Sequence, residues 1–162
     1  MTSGETAVLE QFSLCKAEIV LPASAQSAYA FFLESIDVWW PAEYRFSPEG
    51  VLGIEPLIGG SCFEDVEDGR RLQWGTLQEL EEGAKIVLAW QISPKRLLIE
   101  DPRKAGVVTL QFSETEHGAQ LQLVHSHFER YGEGWREYLR AMNSSAGWAY
   151  CLSAMKTAIG KF

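Results

Sequence analysis

The sequence predicts an α+β domain in which a curved antiparallel sheet of six or seven strands wraps around a long C-terminal helix, with two short helices after the first strand. Two observations support this fold class. Between residues 50 and 128, short runs alternate apolar and polar side chains, as in antiparallel strands with one buried face. From Glu133 onward, apolar side chains recur every three or four residues, which is typical of an amphipathic helix.

The length and charge of the chain limit its class. We expect one domain over residues 1–162, with a flexible lead-in at residues 1–12. The 14 Lys and Arg residues against 22 Asp and Glu residues give a formal net charge of −8. This balance argues against a nucleic-acid-binding protein, because such proteins need a basic face that displaces counterions from phosphate.

The N-terminus and the cysteines bear on location. We see neither the basic and apolar regions of a signal peptide nor an apolar stretch near the roughly 20 residues that span a bilayer, so we expect no membrane insertion. The cysteines are odd in number and widely separated, which favours free thiols in a reducing compartment. We therefore expect a cytoplasmic protein. The cysteines are Cys15, Cys62 and Cys151.

The first elements are defined by two prolines and a cap. A strand over residues 12–21 ends at Pro22, since proline cannot donate to a strand ladder. Ser24 is the predicted N-cap of the first short helix, which buries Phe32. Helical structure ends at Pro41, because the residue before a proline avoids the α region.

The strands of the sheet follow, separated by glycine-containing turns. They are predicted near residues 50–55, 60–66, 71–80, 85–93, 106–114 and 119–129. In the last strand, His125 has the same parity as Leu121 and Leu123, so its side chain should point to the dry face.

The C-terminal helix carries one apolar stripe with a weak point. Gly147 costs about 1 kcal/mol relative to Ala inside a helix, and Asn143 and two serines precede it, so we expect a kink there. The stripe is formed by Trp135, Leu139, Met142, Ala146, Ala149, Leu152, Met155 and Ile159.

Several motifs in a fixed order carry a family resemblance. They are Ile19-Val-Leu-Pro, Val38-Trp-Trp-Pro, Trp74-Gly-Thr-Leu, Leu121-Gln-Leu-Val-His-Ser and Gly147-Trp. Over roughly residues 14–160 the chain resembles the START-like superfamily (SRPBCC, helix-grip, the fold of the birch-pollen allergen). Within it, the chain is similar to the branch named after the activator of the heat-shock-protein-90 ATPase. The resemblance implies an internal apolar cavity and binding of a lipid-like or aromatic small molecule.

Two departures from the family pattern weaken one part of this resemblance. His127 stands where the family often has a glycine after the His-Ser pair. The activators also carry a separate N-terminal domain that engages the chaperone, whereas this sequence starts almost at its first predicted strand. Chaperone contact is therefore the less favoured role. A cyclase of the polyketide type, which uses the same cavity, and a homodimer are the other expectations that follow from the family.

Six tryptophans in a chain of this length predict a wide, aromatic-lined cavity between sheet and helix, because rigid rings rarely close without gaps. Packing in an ordinary core is the alternative for each of them. We expect binding of a hydrophobic or aromatic small molecule, without established catalysis and without a cofactor. The predicted site comprises the mouth residues Trp39, Trp40 and Tyr44, the sheet residues Trp74, Trp90, Phe112 and His125, and the helix residues Trp135, Met142, Trp148 and Met155.

His125 and two other groups of polar residues leave alternatives open. His125 could be a core histidine held by a carboxylate or carbonyl, a polar anchor for a ligand, or a catalytic base. His125 and His127 on one strand face could bind a metal, but zinc needs three or four ligands, so we expect no metal. The acidic run that contains Glu64 and Asp65 is interpreted as a solvated strand end.

Overall fold

The computed structural model describes residues 13–161, and the predicted lead-in lies outside this range. Seven antiparallel strands form one sheet in the order β1–β7–β6–β5–β4–β3–β2, which confirms the predicted fold class. The strands are β1 (Cys15–Leu21), β2 (Val51–Ile54), β3 (Ser61–Asp65), β4 (Arg71–Glu81), β5 (Lys85–Trp90), β6 (Gly106–Thr115) and β7 (Gly118–Ser126).

The strand pairing places β1 at one edge of the sheet and shows where the sheet bends. β1 pairs with β7, so the N-terminal strand lies beside the last one, with Cys15 opposite His125. Register shifts occur at two points of β4, where Trp74 is the extra residue in the pairing with β3 and Gln78 is the extra residue in the pairing with β5. Such irregularities bend a strand and increase its twist, and they lie in the half of the sheet that also carries the candidate site.

Two short helices follow β1, as predicted. They are α1 (Ala25–Glu34) and α2 (Ile36–Trp39), and a 3₁₀ turn at Ala42–Tyr44 comes next. Ser24 caps α1, because its hydroxyl accepts a hydrogen bond from the backbone N–H of Ser27 at 3.0 Å. The predicted N-cap is therefore confirmed.

The C-terminal helical region is broken into α3 (Trp135–Asn143) and α4 (Trp148–Ile159). The predicted kink is thus a full interruption. At Gly147 the chain passes so close to the preceding turn that an added Cβ would lie 2.2 Å from the carbonyl oxygen of Met142. Ser144 stabilises the break, since its hydroxyl donates to the carbonyl of Ala141 at 2.7 Å.

The core lies between one face of the sheet and the helices α1 and α4. Side chains from β5, β6 and β7 are fully buried there against Leu152 and Met155 of α4. The three cysteines are buried free thiols. Burial raises the pKa of both Cys15 and Cys151 to about 12, which keeps these thiols protonated and unreactive.

Within residues 13–161, no helix has the length and apolar character that a membrane span requires.

Candidate ligand-binding site

Four indole rings from distant parts of the chain meet between the sheet and the helices. Trp40 follows α2, Trp74 lies on β4, Trp90 ends β5 and Trp148 begins α4. Ring centroids are 4.8 Å apart for Trp90 and Trp148, 5.5 Å for Trp74 and Trp90, and 6.2 Å for Trp40 and Trp148. The rings of Trp40 and Trp74 are nearly parallel, with an interplanar angle of 9° and a centroid distance of 6.3 Å. We call these four residues the tryptophan cluster.

The space beside the tryptophan cluster is small. Its volume is about 10 Å³, which is room for roughly one water molecule. The prediction of a wide cavity is therefore wrong for this space, because the rings pack against one another and fill it. We call this space the aromatic pocket; its walls are Trp40, Tyr44, Phe46, Leu52, Glu64, Trp74, Trp90 and Ile92.

Residues 40–47 cover the aromatic pocket, and we call them the lid segment. Arg45 fixes this segment from within: its guanidinium donates to the carboxylate of Asp37 at 2.5 Å and to the carbonyl of Trp40 at 3.0 Å. The same guanidinium donates to the carbonyl of Gly50 at 2.9 Å. The position of the lid segment therefore depends on polar contacts to its own neighbours in the sequence.

Contacts from other elements hold the outer side of the lid segment. The Tyr44 hydroxyl donates to the carbonyl of Ala146 at 2.5 Å, and Arg96 donates to the carbonyl of Tyr44 at 2.8 Å. The guanidinium of Arg96 also lies 4.7 Å from the centroid of the Phe46 ring. Ala146 belongs to the break between α3 and α4, so this break supplies an acceptor to the lid segment.

The burial of Glu64 shows that the prediction of a solvated acidic strand end is wrong for this residue. Its side chain is buried, with 2% of the residue exposed, and its two carboxylate oxygens accept the backbone N–H groups of Phe46 and Ser47, each at 2.9 Å. A Cβ on Gly50 would lie 2.0 Å from Glu64 Oε2, so the chain also passes close to the carboxylate there. The parity of Glu64 with buried Cys62 on β3 was the signal for an inward side chain.

His125 is fully buried, as its strand parity predicted, and both ring nitrogens have partners. Nδ1 accepts a hydrogen bond from Trp148 Nε1 at 3.1 Å. Nε2 lies 2.9 Å from the hydroxyl of Tyr131, and that hydroxyl donates to the carbonyl of Trp90 at 2.7 Å. The network therefore assigns the proton to Nε2. Burial lowers the pKa of His125 to about 3, so the ring is neutral.

These contacts support the core alternative for His125, although its partners are a tyrosine and a tryptophan and not the expected carboxylate or carbonyl. His127 lies outside β7 with a positive φ of 61°. Its side chain is half exposed, with Nδ1 3.5 Å from Glu129. The prediction that both imidazoles share a strand face is wrong, because the strand ends at Ser126. In the described part of the chain, no three His, Cys, Asp or Glu side chains are arranged to hold a metal.

The family assignment agrees with this architecture. A model of the family described as activator of Hsp90 ATPase homolog 1-like protein matches residues 22–160. The chain belongs to this family. The resemblance stated from the sequence motifs is thereby confirmed, and the fold is the START-like helix-grip fold. No curated protein matches the sequence.

Solved structures share the fold of this family member. An anthrahydroquino-gamma-pyrone synthase, Txn09, solved in complex with a compound designated SUM, has 23% identity and a TM-score of 0.65 over 90% of this chain and 96% of its own. The Aha1 dimer from Colwellia psychrerythraea has 14% identity and a TM-score of 0.61 over 90% and 95% of the two chains. Protein NE0264 from Nitrosomonas europaea has 11% identity and a TM-score of 0.65 over 91% and 94%.

The structure brings five of the predicted site residues of this Hsp90-activator-like chain together. Trp40, Tyr44, Trp74 and Trp90 line the aromatic pocket, and Trp148 contacts two of them. His125 lies behind Trp148, as the partner of its indole nitrogen, and is not among the residues that line the pocket.

The remaining predicted residues do not line the aromatic pocket. Trp39 lines a separate outer groove between α2 and α4, of about 410 Å³, and its ring packs against that of Trp40 with centroids 5.6 Å apart. Phe112 packs against Tyr29 with ring centroids 5.9 Å apart. The guanidinium of Arg136 lies 4.4 Å from the ring of Trp135, whereas Met142 is half-buried and Met155 is fully buried in the core.

Sequence reasoning missed part of the pocket and of its support. Phe46, Leu52, Glu64 and Ile92 also line the pocket. Tyr138 supports Trp90 from α3, since the Trp90 indole donates to the Tyr138 hydroxyl at 2.9 Å and this hydroxyl donates to the carbonyl of Ile92 at 2.7 Å. Tyr138 follows Trp135 by three residues, so the helical spacing was a signal for its inward position.

Proposed function

We propose that the chain binds a flat apolar or aromatic small molecule in the aromatic pocket, between Trp40 and Trp74. The near-parallel orientation of these rings carries the proposal. A flat ring in contact with a ring on each side needs about 7–8 Å between the outer ring planes, since carbon atoms pack at about 3.5–4.0 Å. The observed centroid distance of 6.3 Å includes any lateral offset of the rings and is therefore an upper limit on the separation of their planes, so Trp40 must move outward by at least about 1–2 Å to admit such a ligand.

Trp40 is the ring that can move. Trp40 is half-buried and is the first residue of the lid segment, directly after α2 and before Pro41. Trp74, in contrast, is buried and belongs to the strand β4. The lid segment is held by hydrogen bonds to Arg45, Arg96, Glu64 and Ala146. The bonds that involve Arg45, Arg96 and Glu64 contribute about 1.5–3 kcal/mol each, because one partner is a charged group, and the bond between Tyr44 and Ala146 contributes about 0.5–1.5 kcal/mol. Opening of the lid segment therefore has a cost that ligand binding must offset.

Two other roles are weaker. A cyclase of the polyketide type needs an acid or base that faces the ligand. Both nitrogens of His125 have partners in the protein, and the two oxygens of Glu64 hold backbone N–H groups. We therefore propose binding without a catalytic step. The synthase of similar fold supports an aromatic ligand for this chain. A chaperone-linked interaction module is supported by the family description alone.

The binding proposal is tested with naphthalene as the probe, by tryptophan fluorescence and by thermal unfolding. We expect naphthalene to quench the fluorescence and to raise Tm, since a ligand that binds the folded state alone stabilises it. A wild-type protein that responds to naphthalene by neither measure would overturn the proposal and leave the interaction module.

A variant pair locates the site. Trp40→Leu removes one stacked face, so we expect the affinity for naphthalene to fall about two- to tenfold, from the roughly 0.5–1.5 kcal/mol of a stacked pair. Trp135→Leu is the matched control, because Trp135 lies outside the aromatic pocket. Equal losses in the two folded variants would contradict the proposed position.

Two further expectations stay predictions. A homodimer agrees with the solved dimer of a related protein, and light scattering at several concentrations tests it through the molar mass. The cytoplasmic location agrees with the three buried free thiols, and fractionation of cells tests it.

A further inference from the structure

Arg96 lies at the edge of the aromatic pocket, on an element other than the lid segment. Its guanidinium donates to the carbonyl of Tyr44 at 2.8 Å and lies 4.7 Å from the centroid of the Phe46 ring. Tyr44 and Phe46 are both walls of the pocket. Arg96 is exposed, and within residues 13–161 no carboxylate forms an ion pair with it. The protein thus places a cation beside the pocket and holds it with a carbonyl and a ring, not with an anion.

The turn that carries Arg96 has an uncommon backbone conformation. Arg96 has a positive φ of 62°, in the left-handed region that favours Gly, Asn and Asp. Such conformations are unfavourable for an arginine and are concentrated at sites of ligand contact. The backbone N–H of Arg96 donates to the carbonyl of Ser93 at 2.9 Å, and the N–H of Ser93 donates to the carbonyl of Leu97 at 2.8 Å. The turn therefore holds Arg96 through its own hydrogen bonds, independently of the lid segment.

The movement that admits a ring into the pocket also changes the contact of Arg96. Trp40 must move by at least about 1–2 Å, and Tyr44 belongs to the same lid segment. Displacement of the lid segment by this amount, with the Arg96 turn fixed, is enough to break the hydrogen bond of 2.8 Å. The guanidinium then lacks its acceptor in the lid segment. An oxygen of the ligand can take the place of that acceptor.

The charges around the pocket favour an anionic oxygen at this position. A carboxylate binds a guanidinium through two parallel hydrogen bonds, which a single carbonyl oxygen does not form. Arg45, the cation of the lid segment, already pairs with Asp37 at 2.5 Å. Glu64 lines the pocket, but its two oxygens accept backbone N–H groups of the lid segment, and the carboxylate of Glu43 accepts from a tyrosine hydroxyl of α4. Arg96 is therefore the charged group beside the pocket that a ligand anion can pair.

We infer that the ligand of the aromatic pocket carries an anionic oxygen group, as an aromatic carboxylate does, and that Arg96 binds this group at the edge of the pocket. The inference rests on the proposed function and adds a ligand class and a specificity-determining residue. The flat ring lies between Trp40 and Trp74, and the carboxylate points outward to Arg96. Because Arg96 is exposed, the carboxylate keeps part of its hydration and is not buried against Glu64.

The experiment compares 2-naphthoate with naphthalene, which has the same ring system without the anion. Both affinities are measured by fluorescence titration for the wild type, Arg96→Asn and Lys95→Asn. Asn tolerates the left-handed backbone, so Arg96→Asn removes the guanidinium without adding strain to the turn. Lys95→Asn is the matched control, since it removes one positive charge from an exposed residue of the same turn. The ratio of naphthoate to naphthalene affinity is the decisive quantity, because the hydration of each probe cancels between variants.

We expect this ratio to fall about three- to tenfold in Arg96→Asn, as for a partly exposed bidentate ion pair, and by less than about twofold in Lys95→Asn. An unchanged ratio in Arg96→Asn, or an equal fall in the two variants, overturns the inference. The proposed function stands in either case if naphthalene binds the wild type. Absence of binding for both probes overturns the proposed function as well.

The salt dependence of binding to the wild-type protein tests the inference without a variant. The formal net charge of −8 repels an anion, so added salt strengthens naphthoate binding if no cation lies near the bound carboxylate. Contact with Arg96 predicts the opposite sign. We expect the ratio of naphthoate to naphthalene affinity to decrease between about 0.01 M and about 0.15 M salt, because the ion pair is screened. An increase of this ratio with salt overturns the inference.

Discussion

His125 joins three parts of the fold through one side chain. Trp148 at the start of α4 donates to Nδ1, and Tyr131 links Nε2 to the carbonyl of Trp90 on β5. Strand parity with Leu121 and Leu123 was enough to predict its burial. Its partners could not be predicted, because Tyr131 lies in a 3₁₀ turn whose path is set by tertiary packing. Glu64 shows the opposite case: its charge predicted a solvated side chain, whereas its side chain is buried on the same face of β3 as Cys62.

Substitutions at His125 test whether its role is structural. His125→Leu leaves the Trp148 indole and the Tyr131 hydroxyl without this partner, so we expect the free energy of unfolding to fall by about 2–5 kcal/mol. His125→Gln retains hydrogen-bonding capacity and should lose less. Denaturant unfolding measures both changes. If His125 instead anchors the polar end of a ligand, the folded Leu variant will bind 2-naphthol, which carries a hydroxyl group, more weakly than the wild type does, with little loss of stability.

The lowered pKa of His125 gives the protein a pH dependence with a defined sign. The pKa falls from 6.5 to about 3 because burial disfavours the charged ring. Below about pH 6.5 the unfolded chain binds a proton at this site and the folded chain does not, so the stability contributed by neutral His125 is full above that pH and decreases as the pH falls towards about 3. The decrease is at most about 1.4 kcal/mol per pH unit.

This pH dependence is measured as a difference between two proteins, because many carboxylates titrate in the same range. We expect the stability advantage of the wild type over His125→Gln to shrink by up to about 2 kcal/mol between about pH 7 and about pH 5. Parallel pH curves for the two proteins would show that His125 takes up its proton without a cost in the folded state.

At the scale of elements, alternation and helical spacing predicted the order and type of the strands and helices, because each element has one buried face. The severity of the break between α3 and α4 was not predicted. Gly147 and the preceding polar residues indicated a weak point, but the approach of the chain to the carbonyl of Met142 depends on how α4 packs on β1. The break also exposes the Ala146 carbonyl to Tyr44, which gives an irregular segment a role in holding the lid segment.

Gly147→Ala tests the requirement for this close approach. The new Cβ would lie 2.2 Å from a backbone oxygen, so the chain must shift, and we expect a loss of about 1–3 kcal/mol in the free energy of unfolding. Gly160→Ala is the matched control at the other end of α4, where the nearest atom is 3.4 Å from the added Cβ and the backbone is helical. It should be neutral or slightly stabilising. Equal effects of the two substitutions in thermal unfolding would show that Gly147 has no special role.

At the scale of the whole molecule, the fold class was predictable and the volume of its interior was not. The number of tryptophans indicated a large aromatic content between sheet and helix, but the space that remains depends on how rings from α2, β4, β5 and α4 fit together. In this conformation they leave about 10 Å³. A ligand must therefore separate rings that already pack well, so its binding and the stability of the tryptophan cluster are coupled.

The C-terminal region should accordingly be needed for folding and not only for binding. A chain truncated after Arg130 loses Tyr131, the partner of His125, and all of α4, including buried Trp148, Leu152 and Met155. Each large buried side chain contributes roughly 1.5–3 kcal/mol, and domains of this kind are stable by only about 5–15 kcal/mol in total. We therefore expect the truncated chain to show no cooperative unfolding transition by circular dichroism and to bind dyes that detect exposed apolar surface. A cooperative transition in that chain would mean that the sheet and α1 suffice for a folded core. The complete tryptophan cluster, which needs Trp148, would then not be required for folding.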